Sequence, residues 1–176
     1  MNVIASNFKS GVNFKIGHFC VIEDDVEVGD NVVIGNYTIL HKGVKLGNNT
    51  AVGSYCEIDK NCDIRNNVII QGRIRMGDSC LVEDKVTIKY GTILTSNVLL
   101  KENCFLGPNV ITLGSTHKRV TVHGTTIGNE TYIGAGSKIA GGIIIGNNIT
   151  VGALSFVNKN LDESGIYVGA PIRKIR

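Results

Sequence analysis

The sequence of 176 residues has no tryptophan, only 2 prolines and 6% aromatic residues, a composition that disfavours helix bundles. No stretch approaches the roughly eighteen apolar residues that a membrane span needs. The opening MNVIASNFKSG lacks an apolar core followed by a small-residue cleavage site. These absences predict a soluble, cytoplasmic protein with no membrane span. Charge is scarce too: charged residues make up 19% and the net charge is +3, which excludes a polyelectrolyte and implies no nucleic-acid partner, while 43% hydrophobic residues exclude a disordered chain. The 5 cysteines are odd in number and lack CxxC spacing, against a disulfide framework or a zinc knuckle. The length suits one domain, residues 1–176.

Present instead are 22 glycines, about twice the usual share, and a strict period of six. Stepping by six from Ile4 reaches Ser10, Ile16, Ile22, Val28, Ile34, Leu40, Leu46, Val52, Ile58 and onward to Leu106, and only Ser10 is not aliphatic. Four residues after each of these comes a second inward candidate, such as Cys20, Val26, Val32, Thr38 and Val44. Turn formers recur between them, as in Asp30-Asn31, Asn48-Asn49 and Asn66-Asn67.

A short strand and a corner repeated every six residues closes a triangular coil in three hexads, and stacked coils bury an aliphatic ladder that no single coil could bury. The expectation is an all-β parallel β-helix of about eight coils. Cys20, Cys56, Cys62, Cys80 and Cys104 all fall in the second inward slot and read as small buried fillers. Cys62 and Cys80 should stack in adjacent coils.

The repeat breaks once. After Leu106 the next clear ladder residues are Ile127, Ile133, Ile139, Ile145, Val151 and Val157, so a loop at about 112–126 is extruded. It reads TLGSTHKRVTVHGTT and holds His117 and His123. A solenoid has no cleft of its own, so chemistry must sit on projecting loops or between neighbouring prisms, and His117 is the candidate general base.

The segment LGPNVITLGSTH resembles, in its spacing from ladder leucine through Pro108 to His117, the stretch that carries the catalytic histidine in the maltose and galactoside O-acetyltransferases. The run IGNETYIGAGSKIAGGIIIGNNITVGALSFVNK and the ending VGAPIRKIR resemble that family's second half. These are sugar enzymes of the hexapeptide-repeat acyltransferase superfamily, and the resemblance implies a left-handed parallel β-helix, a handedness the hexads alone do not give. It further implies acetyl-CoA as co-substrate, a homotrimer with active sites between subunits, and no metal. His117 would be the base. Tyr132 stands where relatives carry a tryptophan near the cofactor arm, and the Ala135 backbone would contact the thioester. Ala153, Asn158, Lys159, Arg173 and Arg176 would line the path of the cofactor.

The implied reaction is acetyl transfer to a hydroxyl of a carbohydrate, in cell-surface polysaccharide biosynthesis, with activity rising through a histidine pKa near ~6.5 or somewhat above. The residues that grip the sugar in galactoside enzymes fall at Thr87 and Thr95 and do not carry over. Glu83, Asp84 and Glu102 are candidates to orient His117. A nucleotide-sugar N-acetyltransferase acting on an amino sugar is the competing enzyme reading, and a non-catalytic β-helix scaffold is the competitor of another class. A γ-type carbonic anhydrase needs three converging histidines, whereas His18 and His41 lie many coils from the loop. TLGSTHKR also faintly suggests serine acetyltransferase, a family with a large helical domain ahead of its prism.

Overall fold

A computed structural model describes residues 1–116, 118–122 and 124–176, and His117 and His123 lie outside the described residues. The hexads fold as a left-handed parallel β-helix. Each hexad supplies a strand of mostly two residues and a turn, and the strands stack into three faces. The first face has nine strands, from Val3–Ile4 to Phe156–Val157. The second has eight, from Lys9–Ser10 to Ile144–Ile145. The third has ten, from Lys15–Ile16 to Gly165–Val168, with Arg173–Lys174 closing it in antiparallel pairing.

Within a strand the two side chains part company, because successive Cβ atoms point to opposite sides. In Glu57–Ile58 the first residue faces out and the second is buried. The inward series Ile22, Leu40, Ile58, Met76 and Leu94 pairs rung on rung along the first face. All five are at most 1% exposed. Burying each such side chain stabilises the fold by about 1.5–3 kcal/mol. The five cysteines are buried in the second inward column, as their spacing predicts. Burial pushes the Cys104 thiol up to about 12, and the hydrogen bond with the neighbouring Cys80 sulfur, followed by burial, pushes that of Cys62 up as well.

Two expectations need correction. There are about nine coils rather than about eight, since the loop-bearing coil closes as a complete turn and Gly165–Val168 adds a last rung. The ladder is also not sealed at its start: Ile4 is 43% exposed because no rung lies beneath it.

Candidate active site

The extruded segment leaves the first face after Ile111–Thr112 and rejoins at Thr126–Ile127 on the second, so it projects from the corner between those faces. It forms a small hairpin. Ser115 and Thr121 make an antiparallel bridge, Thr116 N–H donates to the Val120 carbonyl at 2.9 Å, and Arg119 N–H donates to that of Thr116 at 2.9 Å. Lys118 and Arg119 are exposed at its tip. Its root is fixed by threonines: Thr112 is buried, its hydroxyl accepts from Thr95 N–H at 2.8 Å, and it lies 3.0 Å from the Thr95 hydroxyl. The returning leg packs so closely that a Cβ on Gly124 would collide with the Asn97 carbonyl.

Beneath the hairpin lies a cleft of about 360 Å³. Ile93, Leu94 and Val122 give it apolar walls, Thr95, Ser96, Asn97 and Thr121 supply hydroxyls and an amide, and Arg75 is the one cation among the described residues that line it. Thr95 therefore does line the candidate site, whereas Thr87 stands on the third face. Glu83 and Glu102 meet at the corner between second and third faces, with Glu83 accepting Glu102 N–H at 3.0 Å. Asp84 is engaged there by Asn66 N–H at 2.8 Å. None of these three acids is near the hairpin's corner within one chain.

A charged strip continues from Arg75 along the first face. Its guanidinium pairs with Glu57, and with Asp59 at 3.1 Å. His41 Nε2 lies 3.2 Å from Glu57 and 3.5 Å from Asp59, while Nδ1 is 2.9 Å from Glu23. Partial burial draws the His41 pKa down, but the hydrogen bonds of Glu57 and Glu23 and the charges of Glu23 and Asp59 outweigh it and hold the imidazole above its usual value. Ligand atoms of His41, Glu57 and Asp59 lie within 4.8 Å of one another, a spacing that could hold a metal ion, but Arg75 already supplies a cation to both carboxylates.

The expected cofactor residues divide between two sides of the first face. Tyr132 is outward on the third face, its ring stacked on Phe105 at 5.0 Å. Arg173 and Arg176 are exposed at the end of that face, where the Arg176 carbonyl accepts Ile166 N–H at 2.9 Å. Ala135 and Ala153 sit at the corner between third and first faces, and the Ala135 carbonyl accepts Leu154 N–H at 2.9 Å. Asn158 and Lys159 are exposed at the other corner, on the hairpin's side. A single chain thus keeps Ala135 and the hairpin at opposite edges of one face.

Along the edge that carries Ala135, a polar side chain one coil on captures the corner N–H at two positions, Asn36 for His18 at 2.8 Å and Ser54 for Asn36 at 3.0 Å, whereas Ser54 is followed by Gly72, which has no side-chain acceptor. The residue stacked on Ala135 is Ala153, which has no acceptor. Among the described residues neither alanine N–H has a hydrogen-bond partner. Periodicity could not flag this, since an alanine in that slot reads as filler.

The family description "Bacterial transferase hexapeptide (six repeats)" matches residues 13–42 and 124–159. Both segments carry the hexapeptide repeat that this description names. Serine acetyltransferase of Synechococcus elongatus is 33% identical over 85 residues, which are 48% of this chain and 34% of that protein. The Staphylococcus epidermidis enzyme of the same name is 38% identical over 79 residues, 42% of this chain and 37% of the relative. The match spans little more than a third of these relatives' length. LpxA, a UDP-N-acetylglucosamine acyltransferase from Bacteroides fragilis, superposes with a TM-score of 0.65 at 15% identity, over 98% of this chain and 71% of that one. The acetyltransferase domain of PglB from Neisseria gonorrhoeae, solved with acetyl coenzyme A, gives 0.51 at 16% identity over 70% and 54%. At such identities the likeness is one of fold. Among the described residues no helix is long and apolar enough to cross a membrane.

Proposed function

We propose that the protein is an acetyl-CoA-dependent acyltransferase whose acceptor is a carbohydrate. The observation that carries this reading is the hairpin itself, raised at the single break in the repeat over a cleft with apolar walls and a rim of hydroxyls. The hexapeptide repeats support it. The acceptor oxygen, or the nitrogen of an amino sugar, attacks the thioester carbonyl and a C–O or C–N bond forms. His117 takes the acceptor's proton, the C–S bond breaks, and the proton passes on to the departing thiolate. In this reading the N–H of Ala135, which has no partner among the described residues, stabilises the oxyanion. Tyr132, Ala153, Asn158, Lys159, Arg173 and Arg176 hold the cofactor, the cations pairing with its phosphates. No metal takes part.

Because Ala135 and the hairpin lie at opposite edges of one face, the reading requires a second copy to bring the two together, as in a homotrimer with sites between subunits. It places the protein in the cytoplasm, acting on intermediates of surface polysaccharide. Serine as acceptor is the second reading, favoured by the relatives that share 33–38% identity. Acetyl-CoA should raise the melting temperature by mass action. Replacing His117→Ala should lower turnover by about 10²–10⁴ while preserving that shift. A variant with near-normal turnover removes His117 from the chemistry, and no shift at millimolar cofactor leaves the scaffold reading standing.

A further inference from the structure

We propose that the aromatic corner between the third and first faces is a docking surface for a second copy of the chain, which meets it with the charged corner between its own first and second faces. The choice of partner rests on the acyl-transfer reading above, which needs a second copy to bring a hairpin to the Ala135 corner.

Coil after coil turns these corners through a residue in the left-handed conformation. Between first and second faces that residue is Asp25, Gly43, Asn61, Ser79 and Asn97, all with a short side chain or none. Between third and first faces it is Phe19, Tyr37, Tyr55 and Arg73, at φ from 55° to 61°. Bulky residues are costly in this conformation, and strain of this kind concentrates at functional sites. The side chains form one column: Phe19 on Tyr37 at 5.1 Å, Tyr37 on Tyr55 at 5.0 Å, and Arg73 between Tyr55 at 5.7 Å and Tyr90 at 5.6 Å. Stacking leaves the rims of the rings in solvent, so Phe19, Tyr37, Tyr55 and Tyr90 remain 45–56% exposed, beside exposed Val33 and Ile69 on the adjoining third face. A continuous apolar patch rich in tyrosine with an arginine is the composition of an interface. A sugar would lie flat on a ring, but the ring faces within the column are already closed against one another. Their rims suit the edge of another protein.

The two corners match in charge and in height. Each strand of the first face has the aromatic corner before it and the charged corner after it: Tyr37 and Lys42 flank Ile39–Leu40, Tyr55 and Lys60 flank Glu57–Ile58, and Arg73 and Asp78 flank Arg75–Met76. Copies arranged in a ring about an axis parallel to the prism are not shifted along it. A junction of these corners therefore sets Lys42 and Lys60 against tyrosine rings and Asp78 against Arg73, attractive contacts in each coil. Lys42, Lys60 and Asp78 are exposed, and of the three only Lys42 has an ion-pair partner among the described residues, Asp25 at 3.5 Å. The same level rule holds where the reaction is proposed. Ala135 and Gly141 flank Lys138–Ile139, and a Cβ on Gly141 would collide with the Val122 side chain of the hairpin. The register that pairs the charges thus carries the hairpin of one copy to the height of Ala135 in the next.

The mass of the full-length chain in solution is measured by analytical ultracentrifugation over a range of protein concentration. Wild type is compared with Tyr37→Asn and Tyr55→Asn together, with Arg73→Asp, with Asp78→Arg and with the last two combined. Asparagine is the residue the corner conformation accepts, as at Asn49 and Asn67, so it removes the rings without opposing the backbone. Circular dichroism checks that each variant keeps the wild-type β spectrum. Wild type should assemble, and the asparagine pair and each charge reversal should raise the concentration of half-assembly by about 10-fold or more. The combined reversal should recover most of that loss, because Arg73 and Asp78 stand on opposite sides of one face and can meet only across two copies. A monomeric wild type, assembly unchanged by the asparagine pair in folded protein, or a combined reversal no better than its single changes would overturn the docking surface. Assembly that follows these residues, with no stabilisation by acetyl-CoA and no coenzyme A released in the presence of a hexosamine or L-serine, would uphold the docking surface and defeat the acyl-transfer reading alone.

Discussion

At the scale of single residues the prism is decided by which side chains tolerate its corners. Asn31, Asn49 and Asn67 sit at φ near +56° to +57°, a left-handed conformation that asparagine accepts at low cost, and their amides stack from coil to coil, as in Asn31 to Asn49 at 3.1 Å. Phe19, Tyr37 and Tyr55 hold the same conformation at another corner, where their rings stack at 5.0–5.1 Å. The asparagines announce their corners in the sequence; the aromatic corner is hidden because ring stacking overrides local preference. His41 is the residue whose surroundings make the clearest claim about pH. Its pKa is raised in the folded state, so its favourable contribution is complete below the unfolded value near ~6.5 and is lost as pH rises through the higher folded value. Glu23 and Glu57 are lowered, Glu23 chiefly by its bond to His41 and Glu57 by His41 and Arg75 against the pull of burial. Their contribution is present above the ordinary carboxylate range and fades in acid. Melting temperatures of wild type and His41→Gln from pH 5 to 9 should differ most between about pH 5 and 6 and converge toward pH 9. A gap that widens with pH would remove the ion pairs from the account.

At the scale of elements, the strands were almost wholly legible and the hairpin only as an interruption. Six-residue spacing marks every strand whose inward residue is aliphatic, and it passes over Thr112, a ladder residue with a hydroxyl. That hydroxyl is satisfied by Thr95, so a polar residue stays buried at the root of the hairpin and the break begins one hexad later than aliphatic residues alone suggest. The cleft was less visible, because its walls come from Arg75, Ile93, Thr95 and Val122, four positions joined by stacking and not by any motif. Gly124 is the tightest point of the hairpin, seated on the Asn97 carbonyl with no room for a methyl group. Gly124→Ala should lift the returning leg off the corner. We expect the prism to melt within a few degrees of wild type, since the substitution touches none of the ladder, while kcat/KM falls by about 10²-fold because a displaced base no longer meets its acceptor. Unchanged activity would show that the position of this leg does not matter to the reaction.

At the scale of the whole molecule, a solenoid repeats one contact pattern between neighbouring coils, which is why so much of the fold follows from a period. The same monotony makes it a poor enclosure. The three faces are open, and the groups expected to act together are distributed around them: the hairpin with Asn158 and Lys159 at one edge of the first face, Ala135 and Ala153 at the other, Tyr132 beyond it. One sequence cannot display which residues meet across a boundary between copies, so it offers candidate site residues only one at a time. If the hairpin of one copy works with the Ala135 corner of its neighbour, two inactive variants should rescue each other. His117→Ala supplies an intact corner, and Ala135→Trp, bulky enough to block the thioester, supplies an intact hairpin. Refolded together in equal amounts, they should regain about a quarter of wild-type activity, because in a ring each site draws its two halves from different copies and a random assortment completes one site in four. A mixture as inactive as its components, with mixed oligomers demonstrated by mass, would mean that each chain builds its site alone and that the separation of Ala135 from the hairpin counts against the oxyanion role.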